Sequence, residues 1–210
     1  MRNAPSPAEP DFDLALRPVR PADQDGIYRL VERSRAHLSP WMPWVHTTRS
    51  TADIGAFISQ ALAQEAAGAG FQAGIWWRGE LAGVIGFHPI DWQARRVDLG
   101  YWLGEDFTGR GLATRSAAAL TGQAFETMHL AQVGIRAAEA NRPSQLVAER
   151  LGFHRTGVAE EGEWFVDHWV RLVVYELEAE EWPAVRATLS VPPARIQAAD
   201  PPVWDPGVGQ

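Results

Sequence analysis

The segment Asp106 to Thr114 sets glycines at alternate positions, Gly109 and Gly111, directly ahead of an alanine-rich stretch. Glycine takes positive φ at little cost and carries no Cβ, so a backbone built this way turns tightly and comes close to a bulky anion. With a helix beginning here, the amides of Gly109, Arg110, Gly111, Leu112, Ala113 and Thr114 stand at its start. There, unpaired N–H groups and the helix dipole together favour a pyrophosphate. The bland alternative is a tight strand-to-helix connection without a ligand. The full G-x-x-x-x-G-K-[ST] and G-x-G-x-x-G patterns are absent, which argues against ATP or NAD.

Groups that can move protons are scattered along the chain: Asp98, Glu160 and Glu161, the imidazoles of His88 and His168, and the Ser144 hydroxyl. Each also has a structural reading. Asp98 fits an exposed strand residue, the run Glu160 to Glu163 a solvated acidic loop, and Ser144 a hydroxyl serving early amides of a helix. The histidines rank below the carboxylates, because isolated histidines on strands are usually structural. No pair of His or carboxylate residues has metal-ligand spacing and there is no cysteine, so no metal site is expected.

These groups need elements to hold them. Leu14 to Val19 reads as a first strand and Pro21 to Asp25 as a helix start ahead of Ile27, Leu30 and Val31. Pro40 and Pro43 break the next segment into a loop carrying Trp41 and Trp44, which either line a substrate pocket or pin the loop to the core. Ser50 and Asp53 form a capping box for a helix through Phe57, Ile58 and Leu62. Two apolar runs, 71–77 and 81–88, meet at Arg78-Gly79-Glu80 as a hairpin. Arg96 to Leu103 is a strand, 109–127 a long helix, 133–137 a strand, 143–151 a helix and 166–177 a closing strand. The order is mixed α/β.

At 210 residues with 46% hydrophobic content, the chain suits one buried core. Residues 1–11 are expected to form a flexible tail, 12–190 a single domain, and 191–210 a proline-rich C-terminal tail. A net charge of −7 argues against nucleic acid as a partner and suits a cationic substrate. No run approaches a membrane span and the opening residues lack a secretory segment, so no membrane partner and a cytoplasmic location are expected.

Three further segments fall in the order and spacing of the GNAT acyltransferases: Leu16-Arg17-Pro18, Leu99 to Leu103, and Asn141 through Leu151-Gly152-Phe153. The sequence resembles that superfamily over roughly residues 14–182, and the Pro40 to Trp44 loop resembles its ribosomal-protein N-terminal acetyltransferase branch. Asp106 departs from the family's Q/R-x-x-G-x-G/A pattern, although both glycines match.

The resemblance implies an α+β fold with a mostly antiparallel central sheet flanked by helices, acetyl-CoA as cofactor, and transfer of acetyl to a primary amine. It implies that the acceptor is a protein N-terminus or a small amine, and that a homodimer is a common assembly. It implies that backbone near Trp102 and Leu103 pairs with the pantetheine arm like an added strand, that Asn141 contacts that arm, and that Ser144 lies beside the leaving sulfur as the acid. Arg110 and Arg115, on the first turns of the helix, either add charge beside the phosphates or are merely solvated. An amine must shed a proton around attack, and Asp98, Glu160 and Glu161 are the candidate bases. Trp41 and Trp44 are the candidate acceptor walls. A non-catalytic acyl-CoA sensor is the competing reading, since binding by backbone amides demands no catalytic side chain.

Overall fold

The computed structural model describes residues 13–159, 162–165, 167–189 and 192–197. The expected N-terminal tail, most of residues 191–210, and both Glu160 and Glu161 lie outside the described residues.

An eight-stranded sheet runs in the order β10-β1-β2-β3-β4-β5-β9-β6. Its strands are β1 (Leu14–Pro18), β2 (Gln72–Trp77), β3 (Glu80–Phe87), β4 (Arg96–Leu103), β5 (Gln132–Ala138), β6 (His154–Val158), β9 (Leu172–Glu178) and β10 (Arg195–Ile196). Among the described residues, β1 with β10 and β4 with β5 pair in parallel and the remaining neighbours are antiparallel. A separate hairpin joins β7 (Glu163–Phe165) to β8 (His168–Val170).

Helices α1 (Gln24–Arg33) and α3 (Thr51–Ala66) pack on each other, with the short α2 (Arg35–Leu38) after α1. Strand side chains alternate between faces. Ile27 of α1 and Ile54 and Phe57 of α3 meet Val84, Gly86, Gly100 and Trp102 around one cleft, so these helices cover that face. Helices α4 (Leu112–Gly122) and α5 (Arg142–Arg150) touch each other and cover the opposite face, where Tyr101 reaches α5. Helix α6 (Trp182–Thr188) follows β9. The buried core runs through both layers, from Leu14, Ile75, Ile85 and Phe87 in the strands to Leu112, Ala117 and Leu120 in α4.

Several boundaries differ from the sequence reading for physical reasons. The helix expected from 109 begins at Leu112, because Gly109 (φ 72°) and Gly111 (φ 73°) are both left-handed and cannot propagate a right-handed helix. It then widens into a π-helical turn over Gln123–Thr127. The single closing strand at 166–177 is two elements, β8 and β9. Strand β6 escapes hydrophobic periodicity because it is an edge strand with residues 154–157 exposed. Arg195–Ile196 extends the sheet beside β1, so that part of the proline-rich end is a strand. Of the expected elements, the Ser50–Asp53 cap is built as read: the Asp53 carboxylate accepts from the Ser50 amide at 2.8 Å, the Arg49 amide at 2.9 Å and the Ser50 hydroxyl at 2.8 Å.

Candidate functional site

The site starts where β4 and β5 part. Their parallel pairing runs from Arg96 with Gln132 to Leu99 with Ile135 and stops, although β4 continues to Leu103 and β5 to Ala138. The Asp98 carbonyl accepts from the His88 amide and the Gly104 amide donates to the Ala82 carbonyl, so this set of backbone groups on β4 faces β3. By the two-residue alternation, Gly100 and Trp102 also face β3, while Leu99, Tyr101 and Leu103 present their amides and carbonyls to the gap. An extended chain can add there as a strand would. Of the expected backbone pair, Leu103 faces the gap; Trp102 has its backbone turned to β3 and brings its indole instead. Tyr101, which sequence reasoning passed over, takes the second backbone position.

At the end of β4 the chain passes through a 3-10 turn, Glu105–Phe107, and enters the glycine turn. Gly111 is the N-cap of α4 and supplies no side-chain cap, so the amides of Leu112, Ala113 and Thr114 open the helix without an intrahelical partner. A Cβ built on Gly109 or Gly111 would meet nothing within 4 Å, so the mouth of the turn is open space. The geometry suits a phosphate held by backbone. The Arg110 guanidinium lies 4.8 Å from the Trp77 ring centroid and donates to the Asp106 carbonyl. Arg115 is committed elsewhere. It pairs with Asp13 at 2.7 Å and donates to the Pro192 carbonyl at 3.0 Å, and its hydrogen bond holds the Asp13 carboxyl below the usual range.

A cleft of about 1070 Å3 opens on the α1/α3 face and extends to the start of α5, gathering Trp41, Trp44, Asp98, Tyr101, Trp102, Asn141 and Ser144. Leu103 and the glycine turn lie outside its lining. The Trp44 and Trp102 rings stand 5.7 Å apart. Arg35 holds the aromatic loop from below, donating to the Val45 carbonyl and, at 2.7 Å, to the Thr48 carbonyl. Phe165 of β7 and Gly162, the residue after Glu161, close the cleft on the side of the small hairpin.

Asp98 is ion-paired with Arg136 at 2.8 Å, and both line the cleft. His88 lines it too; Gly100 makes room for the ring, since a Cβ there would sit 2.7 Å from His88 Nε2. His168 is not in the lining and is exposed on β8, hydrogen-bonded to Asp167 at 2.7 Å.

Helix α5 starts beside the gap. Asn141 is its N-cap, with Oδ1 accepting from the Ser144 amide at 3.2 Å, and Pro143 sits in its first turn where a missing N–H costs nothing. The Ser144 hydroxyl lies 3.0 Å from the Tyr101 hydroxyl. Burial pushes the Tyr101 phenol up to about 12, with the Ser144 hydrogen bond opposing. A link between residues 43 positions apart leaves no signal in sequence spacing. Arg142 clamps the outer side of α5, donating to Glu149 at 2.5 and 2.7 Å, and Tyr175 donates to the same carboxylate at 3.2 Å.

Residues 13–154 match the model of the acetyltransferase (GNAT) domain. "Putative ribosomal N-acetyltransferase YdaF" of Bacillus subtilis (strain 168) is 32% identical over 171 residues, which cover 80% of this chain and 93% of that protein. The ribosomal-protein-serine acetyltransferase of Escherichia coli (strain K12) is 25% identical over 162 residues, 77% of this chain and 90% of that one. The structure of Mycobacterium smegmatis RimJ in complex with CoA-disulfide superposes with a TM-score of 0.76 at 25% identity, covering 81% of this chain and 85% of that chain. Interrupted β4–β5 pairing, an uncapped glycine turn and a helix-borne hydroxyl beside the gap therefore occur within a matched domain. The chain belongs to the GNAT acetyltransferases and is an enzyme that moves acetyl from acetyl-CoA to an amine.

Proposed function

We propose that the acceptor is the α-amine of a protein N-terminus. The observation that carries this is the cleft itself. It is walled by aromatic side chains (Trp41, Trp44, Phe57, Trp102), and its two carboxylates are already engaged, Asp98 by Arg136 and Asp53 by the Arg49 and Ser50 amides. Such walls accommodate the first side chains of an extended peptide, whereas a small polycationic amine calls for uncompensated carboxylates. Two relatives named for acetylation of ribosomal proteins support the same reading.

In this reading, acetyl-CoA lies with its pyrophosphate on the amides from Gly109 to Thr114 and its pantetheine along Tyr101 and Leu103, with Asn141 beside the arm. The thioester then sits near Ser144, which faces the leaving sulfur. The amine nitrogen enters from the cleft, attacks the acetyl carbon, and the C–S bond breaks with its electron pair on sulfur. Asp98 is held by Arg136, so the proton acceptor is drawn from Glu160 and Glu161, just ahead of cleft-lining Gly162, or from His88.

The enzyme acts in the cytoplasm on this account, where ribosomal proteins are made. The expected homodimer has one support, the exposed apolar pair Trp164 (51%) and Trp169 (64%); a single monomer boundary in sedimentation would end that part of the reading. The test of the acceptor is thiol release from acetyl-CoA with peptides that carry both a free α-amine and an internal lysine. Acetyl located by mass spectrometry on the α-amine is the expected result, and acetyl found on the lysine side chain contradicts it.

A further inference from the structure

A tyrosine hydroxyl stands directly behind the Ser144 hydroxyl. The Tyr101 hydroxyl lies 3.0 Å from Ser144 Oγ and 3.1 Å from the Ser144 carbonyl, and the described residues offer it no other partner. A buried hydroxyl without a partner costs roughly 1–3 kcal/mol, so the pair is a committed arrangement. Two hydrogen patterns satisfy it. Tyr101 donates to the carbonyl while Ser144 donates back to Tyr101, or Tyr101 donates to Ser144 Oγ and frees the serine proton to point into the cleft.

We propose that Tyr101 is a positioning residue for the leaving group: it donates to Ser144 Oγ so that the Ser144 hydroxyl donates its own hydrogen bond to the departing CoA thiolate. The inference rests on the placement of the thioester near Ser144. When the amine nitrogen bonds to the acetyl carbon and the C–S bond breaks, the electron pair settles on sulfur, the amine proton passes to the base drawn from Glu160, Glu161 or His88, and the thiolate takes a proton from water as CoA leaves. Neither hydroxyl gives up its proton. A phenol that titrates well above neutrality stays protonated throughout, which makes Tyr101 a donor of hydrogen bonds and not a proton source. A chain of two hydroxyls polarises in one direction, so each bond strengthens the next.

The consequence can be read without knowing the acceptor. CoA bound to the wild-type protein is titrated with pH while thiolate ultraviolet absorbance is followed, with free CoA as reference. The bound thiol is expected to ionise about one pH unit lower than the free thiol, as one charge-assisted hydrogen bond produces. In Tyr101→Phe and in Ser144→Ala, this lowering is lost while CoA dissociation constants stay within about threefold of wild type, since the phosphate and pantetheine contacts remain. The double variant matches Ser144→Ala alone, because the tyrosine acts only through the serine. Absence of CoA binding to wild type would overturn both the site assignment and this inference. Tight binding with the same thiol titration in wild type and both variants would overturn this inference alone.

Discussion

Asp98, one residue before the last β4–β5 pair, and Arg136, one residue after it, face each other at 2.8 Å, so the carboxylate nearest the gap is already held by a cation. Gly134 permits this, because a Cβ on it would lie 2.2 Å from Asp98 Oδ1. In the mechanism proposed above, a carboxylate held this way shapes the gap and another group takes the proton. Both groups are about one third to one half exposed, and a pair of that kind is worth about 0–1 kcal/mol.

The first prediction follows from that pairing. Asp98→Asn lowers kcat less than about tenfold, whereas loss of the true base lowers it by roughly 10²-fold or more. The measurement is kcat against pH for Asp98→Asn, His88→Ala, Glu160→Gln and Glu161→Gln with one peptide acceptor. The largest loss in Asp98→Asn would reverse the assignment.

Gly109 and Gly111 separate two effects that a glycine can carry. With open space around both Cβ positions, Gly111→Ala should cost about 1–2 kcal/mol from the left-handed backbone alone, seen as a fall of a few degrees in Tm. Gly109→Glu carries the same left-handed strain and should in addition reduce CoA affinity at least tenfold relative to Gly109→Ala, by putting a negative charge where the pyrophosphate rests. Calorimetric titration with CoA decides it, and undiminished affinity in Gly109→Glu removes the turn from the site.

What could be seen in the sequence was whatever is local. The glycine turn, the Ser50–Asp53 cap and the β2–β3 hairpin depend on residues within a few positions of each other, and residue type suffices to place them. The proline-broken aromatic loop was visible for the same reason, but not the Arg35 bonds that hold it. Asp98 with Arg136 and Tyr101 with Ser144 join segments 38 and 43 residues apart, and their meaning depends on strand register, which no pattern in one sequence specifies. Trp102 illustrates the limit: its place beside the gap was readable, but which way its backbone faced depended on hydrogen bonds made by Asp98 and Gly104.

The aromatic walls make a prediction about the acceptor alone. Trp44 stands against Trp102 on the cleft side, away from the glycine turn, so Trp44→Ala should raise KM for a peptide acceptor about tenfold and leave CoA affinity unchanged. Steady-state kinetics with each substrate varied in turn gives the answer. A matching loss of CoA affinity would mean that the loop supports the whole gap and not the acceptor side.

At the acid end, α5 should loosen through Glu149. Its carboxyl is held below the ordinary value of 4.5, chiefly by the Arg142 hydrogen bond and also by that of Tyr175. A folded-state value below the unfolded one gives stability that is present above about pH 4.5 and is lost as pH falls through the lower, folded-state value. Glu149→Gln should therefore melt below wild type at pH 7, and the difference should close as the pH is taken well under 4.5. Parallel melting curves across that range would show that the clamp contributes nothing to α5.

The central claim is that one continuous site runs from the uncapped start of α4, along the gap between β4 and β5, to the hydroxyl on α5. A crystal structure with CoA bound tests it most directly. The account predicts pyrophosphate oxygens on the amides of Leu112 to Thr114, pantetheine against Tyr101 and Leu103, and the sulfur within hydrogen-bonding distance of Ser144 Oγ at the cleft. CoA found with its sulfur away from Ser144, or with its pyrophosphate off the glycine turn, would contradict it.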